Sequence, residues 1–524
     1  MGKVIRSYTI RAWTVIAATA LLVVGGCAAD QVTTASAAPA ALSEQVLSVG
    51  LSRIAEIYLQ PIDLAKLCVD GLTGLRTLDP MLKIENETGS ISISRGSRRV
   101  TEFATPAGDE PNAWATLTTR AVERTRQFSP QLYEASVDQI YQAVFDGLLS
   151  HLDSYSRYTG PQRANNERAI REGYGGIGIA LDQRNDRFVI REVSFDGPAD
   201  RSGIVVGEMV DAIDGLTTYS MSMTEVRDAL RGAPGSVVHL TVTPPRGGPT
   251  SGRLVSLHRE RVIGNSVQAR VEDGFAIIKV ERFNAATATN LRDVVDLTMA
   301  RLGRGAKGMV LDLRGNPGGL LDQAVAVADL FIRRGRVVST AGRHPDSWQR
   351  FDAIGEDILH DRPLVVLIDG RSASAAEIVA AALQDSGRAV VVGASSFGKG
   401  SVQTVTRLPN DGELFLTWSR IYAPSGYTLH RQGVQPTVCT SRDDTNPDMV
   451  LAPLRTGQTE SPGVIARWRA AAPDDESALA HLRQACPWKA HEAELDVRIA
   501  ERLLAEPVLY HSAQALSVTA VAER

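Results

Sequence analysis

The chain has 524 residues, 44% of them hydrophobic, and its 56 Lys+Arg against 60 Asp+Glu give a net charge of −4. At ~150 residues per domain the length implies about three domains, and the near balance of charge excludes a general nucleic-acid or polybasic membrane role. The 45 Gly follow no triplet period and the apolar content is too high, so collagen-like, coiled-coil and mostly disordered classes are excluded, and with no CxxC pair among the four Cys so is zinc or redox chemistry of that kind.

The first residues carry Lys3, Arg6 and Arg11, followed by an apolar run from Ala12 to Val24 that is too short to cross a bilayer. This is the pattern of a signal peptide over residues 1–26. It ends in Val24-Gly25-Gly26-Cys27, which resembles a bacterial lipobox, so Cys27 is the expected lipidated N-terminus and residues 27–42 a tether. The expected location is the periplasmic side of a membrane. The alternative is cleavage after Ala35-Ser36-Ala37, which yields a soluble periplasmic protein. Export permits a disulfide between Cys439 and Cys486, with two unpaired thiols as the other reading.

Residues 43–171 read as a helical N-terminal region. Leu47, Leu51, Ile54 and Tyr58 recur at helical spacing before Pro61, and Val137, Ile140, Val144 and Leu148 repeat the pattern beyond a polar insert near 85–112. A packing cap is the expected role. From Gly173 short β-like runs alternate with glycine. The loop Gly175-Gly176-Ile177-Gly178, the later Gly203-Ile204-Val205-Val206-Gly207-Glu208 and Ala212-Ile213-Asp214-Gly215, a helix near 223–231 and a strand Val237 to Val242 resemble a PDZ domain over 172–260. That resemblance implies a mostly β module in which Gly175, Gly176, Ile177 and Gly178 offer amides to the carboxylate of a peptide's C-terminus.

Residues 261–438 carry buried-strand candidates at Phe275 to Val280, Met309 to Leu313, Leu364 to Ile368 and Ala389 to Val392. Helical runs lie between them, notably Leu320 to Ile332 and Ala375 to Leu383, so a parallel α/β core is expected. The extension 439–524 is polar, then helical from about Glu476, and shows no legible chemistry.

Three segments of the core stand at strand-to-loop junctions. Asp312-Leu313-Arg314-Gly315-Asn316-Pro317-Gly318-Gly319 enters a helix whose free amides suit an oxyanion, unless it is a tight turn around an Asp312–Arg314 pair. Ser372-Ala373-Ser374-Ala375-Ala376-Glu377 leaves a serine hydroxyl among small neighbours, although Ser374 and Glu377 also fit a capping box. Phe397-Gly398-Lys399-Gly400-Ser401-Val402-Gln403 is close to a nucleotide-binding P-loop, but Gly400 stands where that motif needs Ser or Thr and a strand follows. A buried lysine there sheds its proton easily and can serve a serine as base.

Together the three motifs resemble the carboxy-terminal processing, or tail-specific, proteases, and the match runs over roughly residues 135–438, including Leu152-Asp153-Ser154-Tyr155-Ser156-Arg157-Tyr158. The resemblance implies a multidomain α+β protein, with a crotonase/Clp-protease-like α/β catalytic core beside the PDZ domain and the helical region. It implies a serine endopeptidase acting near C-termini, with Ser374 as nucleophile, Lys399 as base and Gln403 orienting the lysine. Ala375 and Gly318 or Gly319 would supply the oxyanion hole. Neither cofactor nor metal is expected. The expected partners are proteins or peptides with free C-termini, and the membrane through the lipid anchor, with room for an adaptor protein or a homo-oligomer. Two departures are Ala376, where the family often has serine, and Leu152-Asp153-Ser154-Tyr155, which is expected to affect local packing only. The competing classes are an inert PDZ scaffold and a histidine-based hydrolase, for which His430 lies nearest a motif.

Overall fold

The amphipathic N-terminal pattern folds as its spacing requires. In a computed structural model that describes residues 34–194, 196–245, 251–442, 446–490 and 494–522, the helix Thr34–Ile57 buries Leu47, Leu51 and Ile54. It packs with the helices Leu64–Gly74, Pro111–Arg126 and Val137–Leu149 around Leu72 and Phe145. Within a region expected to be helical, the polar insert folds as an antiparallel meander, Leu82–Glu87, Ser90–Arg95 and Arg98–Ala104. In its central strand Ile91 and Ile93, two apart and flanked by serines, both face the helices.

The PDZ-like region is an antiparallel sheet ordered Arg253–His258, Val237–Thr243, Met209–Ile213, Arg187–Val193 and Ile179–Arg184, closed by the helix Met223–Leu230. Its own core gathers Ile177, Phe188, Ile190, Val226 and Leu240. A short antiparallel pair, Tyr174–Gly176 with Glu260–Val262, joins it to the rest of the chain.

The core sheet runs Val267–Glu272, Phe275–Val280, Gly308–Asp312, Leu364–Ile368, Val390–Gly393 and Val438–Cys439, parallel from the second strand onward. The strands Phe275–Val280, Gly308–Asp312, Leu364–Ile368 and Val390–Gly393 are buried on both faces, as parallel strands covered on both sides must be. Met309 and Leu311 face a layer containing the helices Thr287–Leu302, Leu321–Asp329 and Ala375–Asp385, whereas Val310 faces the opposite side. That opposite side is covered by the extension, through Leu495, Ile499 and Leu503 of the helix Glu494–Ala505 and Leu509 and Tyr510 of the helix Pro507–Ala522. A second antiparallel layer, Gln349–Ala353, Gly335–Ala341, Glu413–Tyr422 and Ser401–Arg407, receives the strand Arg157–Thr159 from the N-terminal region. Leu408, Leu414 and Leu416 of this layer share the N-terminal core, so that region is continuous with the α/β domain.

Candidate active site

Parallel pairing sends three loops off the same edge of the core sheet, where side chains stand exposed on a rigid base. The first follows the strand Gly308–Asp312, the second Leu364–Ile368 and the third Val390–Gly393. They are tied together by hydrogen bonds. Asp369 accepts from the amides of Gly315 at 2.9 Å and Ser372 at 3.1 Å, and Ala373 N–H donates to Asn316 O at 2.9 Å. The buried Ser372 hydroxyl donates to Leu313 O at 2.9 Å, and Phe397 N–H reaches Ser372 O at 3.0 Å. Ser372 is thus a brace between loops. The Asp312–Arg314 pair is likewise structural, buried at 2.7 Å, with Arg314 also 3.0 Å from Asp496 of the extension.

Ser374 is different. Its backbone sits at φ 56° and ψ −113° at the start of the helix Ala375–Asp385. A helix-capping serine normally has extended backbone, so the cap alone does not account for this conformation. Strain of order 1–3 kcal/mol in such a region persists where the surroundings impose it, and it concentrates at functional sites. Gly318 lies against it, where an added Cβ would stand 2.8 Å from Ser374 Cβ and 3.0 Å from Ala375 N. The Gly318 amide is already donated to Asn316 Oδ1 at 2.8 Å. Of the two glycines expected to offer an amide, Gly319 is therefore the one that lines the cavity with Ser374, Ala375, Lys399 and Gln403, a space of about 490 Å³.

Lys399 is mostly buried, and its amine is held below the usual lysine range by desolvation and then by the charge of Arg157, against the opposing pull of Glu377 and Asp153. Its Nζ lies 5.0 Å from the centre of the Tyr155 ring. The glycines beside it serve close packing. A Cβ on Gly400 would overlap the His430 amide, and Ile421 N–H donates to Gly400 O at 3.0 Å. The strand Ser401–Arg407 follows, so this loop does not open a helix and the P-loop reading fails.

Glu377 was legible only as half of a capping box, and it does more. Fully buried, it accepts from Ser374 N–H at 2.7 Å and Lys399 N–H at 2.9 Å on Oε2, and from Gly398 N–H at 2.6 Å and the Ser396 hydroxyl at 2.5 Å on Oε1. Burial pushes its carboxyl up to about 7 despite these four donors. One side chain thereby fixes the backbones of both Ser374 and Lys399.

Gln403 Nε2 donates to Ser401 Oγ at 3.0 Å and Thr417 Oγ1 at 3.1 Å, and the Thr417 hydroxyl in turn donates to Asp153 Oδ1 at 2.9 Å. This sets the plane of the amide. The expectation that 152–155 affects only local packing is corrected here. Ser154, Tyr155 and Arg157 line the cavity, and Asp153 anchors the Thr417–Gln403 chain as well as the Ser156 hydroxyl at 2.6 Å. These residues lie more than two hundred positions from Ser374, and their only sequence signal was the family resemblance. His430 does not line the cavity. Its ring Nδ1 sits 3.0 Å from Arg420 Nη1, and burial, with Arg420 and Arg431, lowers its pKa to about 4.

A second cavity of about 340 Å³ lies on the PDZ-like sheet, between Gly176, Ile177, Gly178 and Ile179 on one side and Met223 and Leu230 on the other. Gly178 has φ 77°, a left-handed conformation that favours glycine. Gly175 is not part of this groove. It pairs with Arg261, and a Cβ there would overlap Gly232 O. Ile177 points into the domain core at 2% exposure, leaving Ile179 as the partly exposed isoleucine beside the groove.

Cys439 and Cys486 are joined by a disulfide, and Cys68 is a buried free thiol. Cys27 lies outside the described residues, among which no helix is long and apolar enough to cross a membrane.

The model of peptidase family S41 matches residues 274–440 and a PDZ domain model matches 189–244. A carboxy-terminal-processing protease of Bartonella bacilliformis is 36% identical over 302 residues, spanning 57% of this chain and 69% of that protein. A carboxyl-terminal-processing protease of Picosynechococcus is 31% identical over 307 residues, 57% of this chain and 72% of the relative. Among solved structures, the photosystem II D1 C-terminal processing protease aligns with a TM-score of 0.37 and 24% identity, covering 75% of this chain and 92% of that one. The PDZ domain of a carboxy-terminal protease from Vibrio cholerae, solved with a peptide, aligns with a TM-score of 0.16 and 25% identity over 17% of this chain and 96% of its own.

Proposed function

The chain belongs to the carboxy-terminal-processing serine proteases of peptidase family S41, and from that premise we propose that it cuts peptide bonds with Ser374 as nucleophile and Lys399 as general base. The observation that carries this reading is the pairing, in one cavity, of a serine held at φ 56° with a buried lysine whose charge is disfavoured. A neutral amine accepts the Ser374 proton as Oγ attacks the scissile carbonyl, then returns it to the leaving amine. Water, deprotonated by the same lysine, releases the acyl group. The amides of Ala375 and Gly319 take the oxyanion, aided by the N-terminus of the helix Ala375–Asp385. Gln403, with its NH2 end held by Ser401 and Thr417, keeps its carbonyl oxygen for the Lys399 amine. Ser374→Ala should abolish cleavage of a peptide while circular dichroism stays unchanged. Full activity in that variant would return Ser374 to the role of helix cap.

Substrate tails are read by the PDZ domain in this proposal. The terminal carboxylate meets amides around Gly176–Gly178, and the last side chain enters the apolar groove beside Ile179 and Leu230. Peptides of one sequence ending in a free acid or an amide separate this from non-specific binding, since equal cleavage of both would refute it. The leader read from the sequence supports action in the cell envelope, with Cys27 as lipid anchor.

A further inference from the structure

The extension beyond the S41 match, which ends at residue 440, reaches all three loops of the site. Gly370, four residues before Ser374, has both backbone groups taken by one short stretch of it. Its N–H donates to Lys489 O at 2.7 Å and its carbonyl accepts from Trp488 Nε1 at 2.7 Å. The indole lies against this residue, so closely that a Cβ on Gly370 would overlap it. Two residues earlier, Cys486 O lies 2.6 Å from the hydroxyl of Ser395, in the loop that leads to Lys399. The next residue, Ser396, holds Glu377, which holds the amides of Ser374 and Lys399. Asp496 supports the remaining loop, the first, through Arg314.

The same stretch is tied by a disulfide that links Cys486 to Cys439 at the end of the last core strand, 47 residues away. We propose that Cys486–Lys489 is a positioning clamp on the catalytic loops, locked by the Cys439–Cys486 bridge, so that the oxidised chain is the fast peptidase and the reduced chain a slow one. Trp488 and Lys489 act on the Ser374 loop through Gly370, and Cys486 acts on the Lys399 loop through Ser395. None of them lines the catalytic cavity, so the clamp governs the placement of the reacting groups and not the fit of substrate. The inference rests on the Ser374–Lys399 reading above.

The test uses the full purified chain, assayed before and after a dithiol such as dithiothreitol. The dithiol closes to its cyclic disulfide as two electrons and two protons pass to the sulfurs of Cys439 and Cys486, and titration of free thiols reports completion. The clamp predicts that kcat falls by about tenfold to hundredfold, the scale of a displacement near 1 Å in an active site. KM should stay within about twofold, the signature of a loss felt in the transition state rather than in binding. Oxidised Trp488→Ala should show the same split, and Trp488→Phe, which keeps a ring but loses the N–H, should lie between. Equal kcat in oxidised and reduced chains, wild-type kcat in Trp488→Ala, or a raised KM at unchanged kcat would each overturn the clamp. If circular dichroism shows that reduction unfolds the chain, the oxidised Trp488 variants decide alone. Ser374→Ala run in parallel separates the two levels, because activity surviving there removes the underlying reading, whereas activity lost there and kept in Trp488→Ala removes only the clamp.

Discussion

Replacing Glu377 with glutamine changes one atom type at the point where the backbones of Ser374 and Lys399 meet. Each carboxylate oxygen accepts two donors, the Ser374 and Lys399 amides on one and the Gly398 amide and Ser396 hydroxyl on the other. Glutamine keeps a single acceptor oxygen, so with its NH2 toward the Ser374 and Lys399 amides two donors lose their partner, and with it toward Gly398 one does, because the Ser396 hydroxyl can turn and accept. At about 1–3 kcal/mol for each buried donor left unsatisfied, the variant should lose about 1–3 kcal/mol of stability in the less costly orientation. Displacement of either amide by a fraction of an ångström should also lower kcat, on the order of a hundredfold for 1 Å. Urea denaturation and steady-state cleavage of a fluorogenic peptide measure the two effects. With its carboxyl raised to about 7, the wild-type side chain gains a proton as pH falls through neutrality and one of its donors is left without an acceptor. Activity should therefore decline below pH 7 in wild type, and this limb should be missing from Glu377→Gln. Because the folded pKa is raised, the carboxyl's own contribution to stability is fully present below about 4.5 and is lost as pH rises through about 7, opposite in sense to activity. Wild-type stability and kcat in the glutamine variant would refute the account of Glu377 as an ionised hub.

Lys399→Arg should be nearly as damaging to kcat as Lys399→Ala, because arginine stays protonated at any working pH and cannot act as base. Normal turnover by the arginine variant would demand a different base. Arg157→Gln removes a charge that holds the Lys399 amine low, so the acid limb due to Lys399 should move to higher pH, and Arg157→Lys should largely restore it. An unmoved limb in Arg157→Gln would rule out that coupling. Cys27→Ser should shift the protein from the membrane fraction to the soluble one, whereas an unmodified mature N-terminus at Ala38 in wild type would establish ordinary secretion.

What the residues announced and what they hid follow from distance along the chain. The motifs around Gly318, Ser374 and Lys399 were legible because each carries its chemistry locally, at the end of an apolar strand. The parallel sheet was legible for the same reason, since strands such as Leu364–Ile368 are continuously apolar. The Asp153 segment was recognised by resemblance, yet its chemistry depends on Thr417 and Lys399, far away in sequence and brought near by the pairing of Arg157–Thr159 with Glu413–Tyr422. Glu377 was masked by a local explanation that is half true, because it does take the Ser374 amide as a capping glutamate would. The meander leaves only a short trace in the sequence, the period-two alternation of Ser90-Ile91-Ser92-Ile93-Ser94. The extension shows no motif because what it supplies to the site is backbone oxygens, one indole N–H and a carboxylate, none of which needs a recognisable spacing.

The central claim is that Ser374 carries the acyl group and Lys399 removes its proton. Rapid acid quenching of the enzyme with an activated peptide ester, followed by peptide mapping in a mass spectrometer, tests it directly. The predicted result is an added acyl mass on the fragment containing Ser374 in wild type and none at that position in Lys399→Ala at the same quench time. An acyl group on any other residue, or undiminished acylation of Ser374 without Lys399, would contradict it.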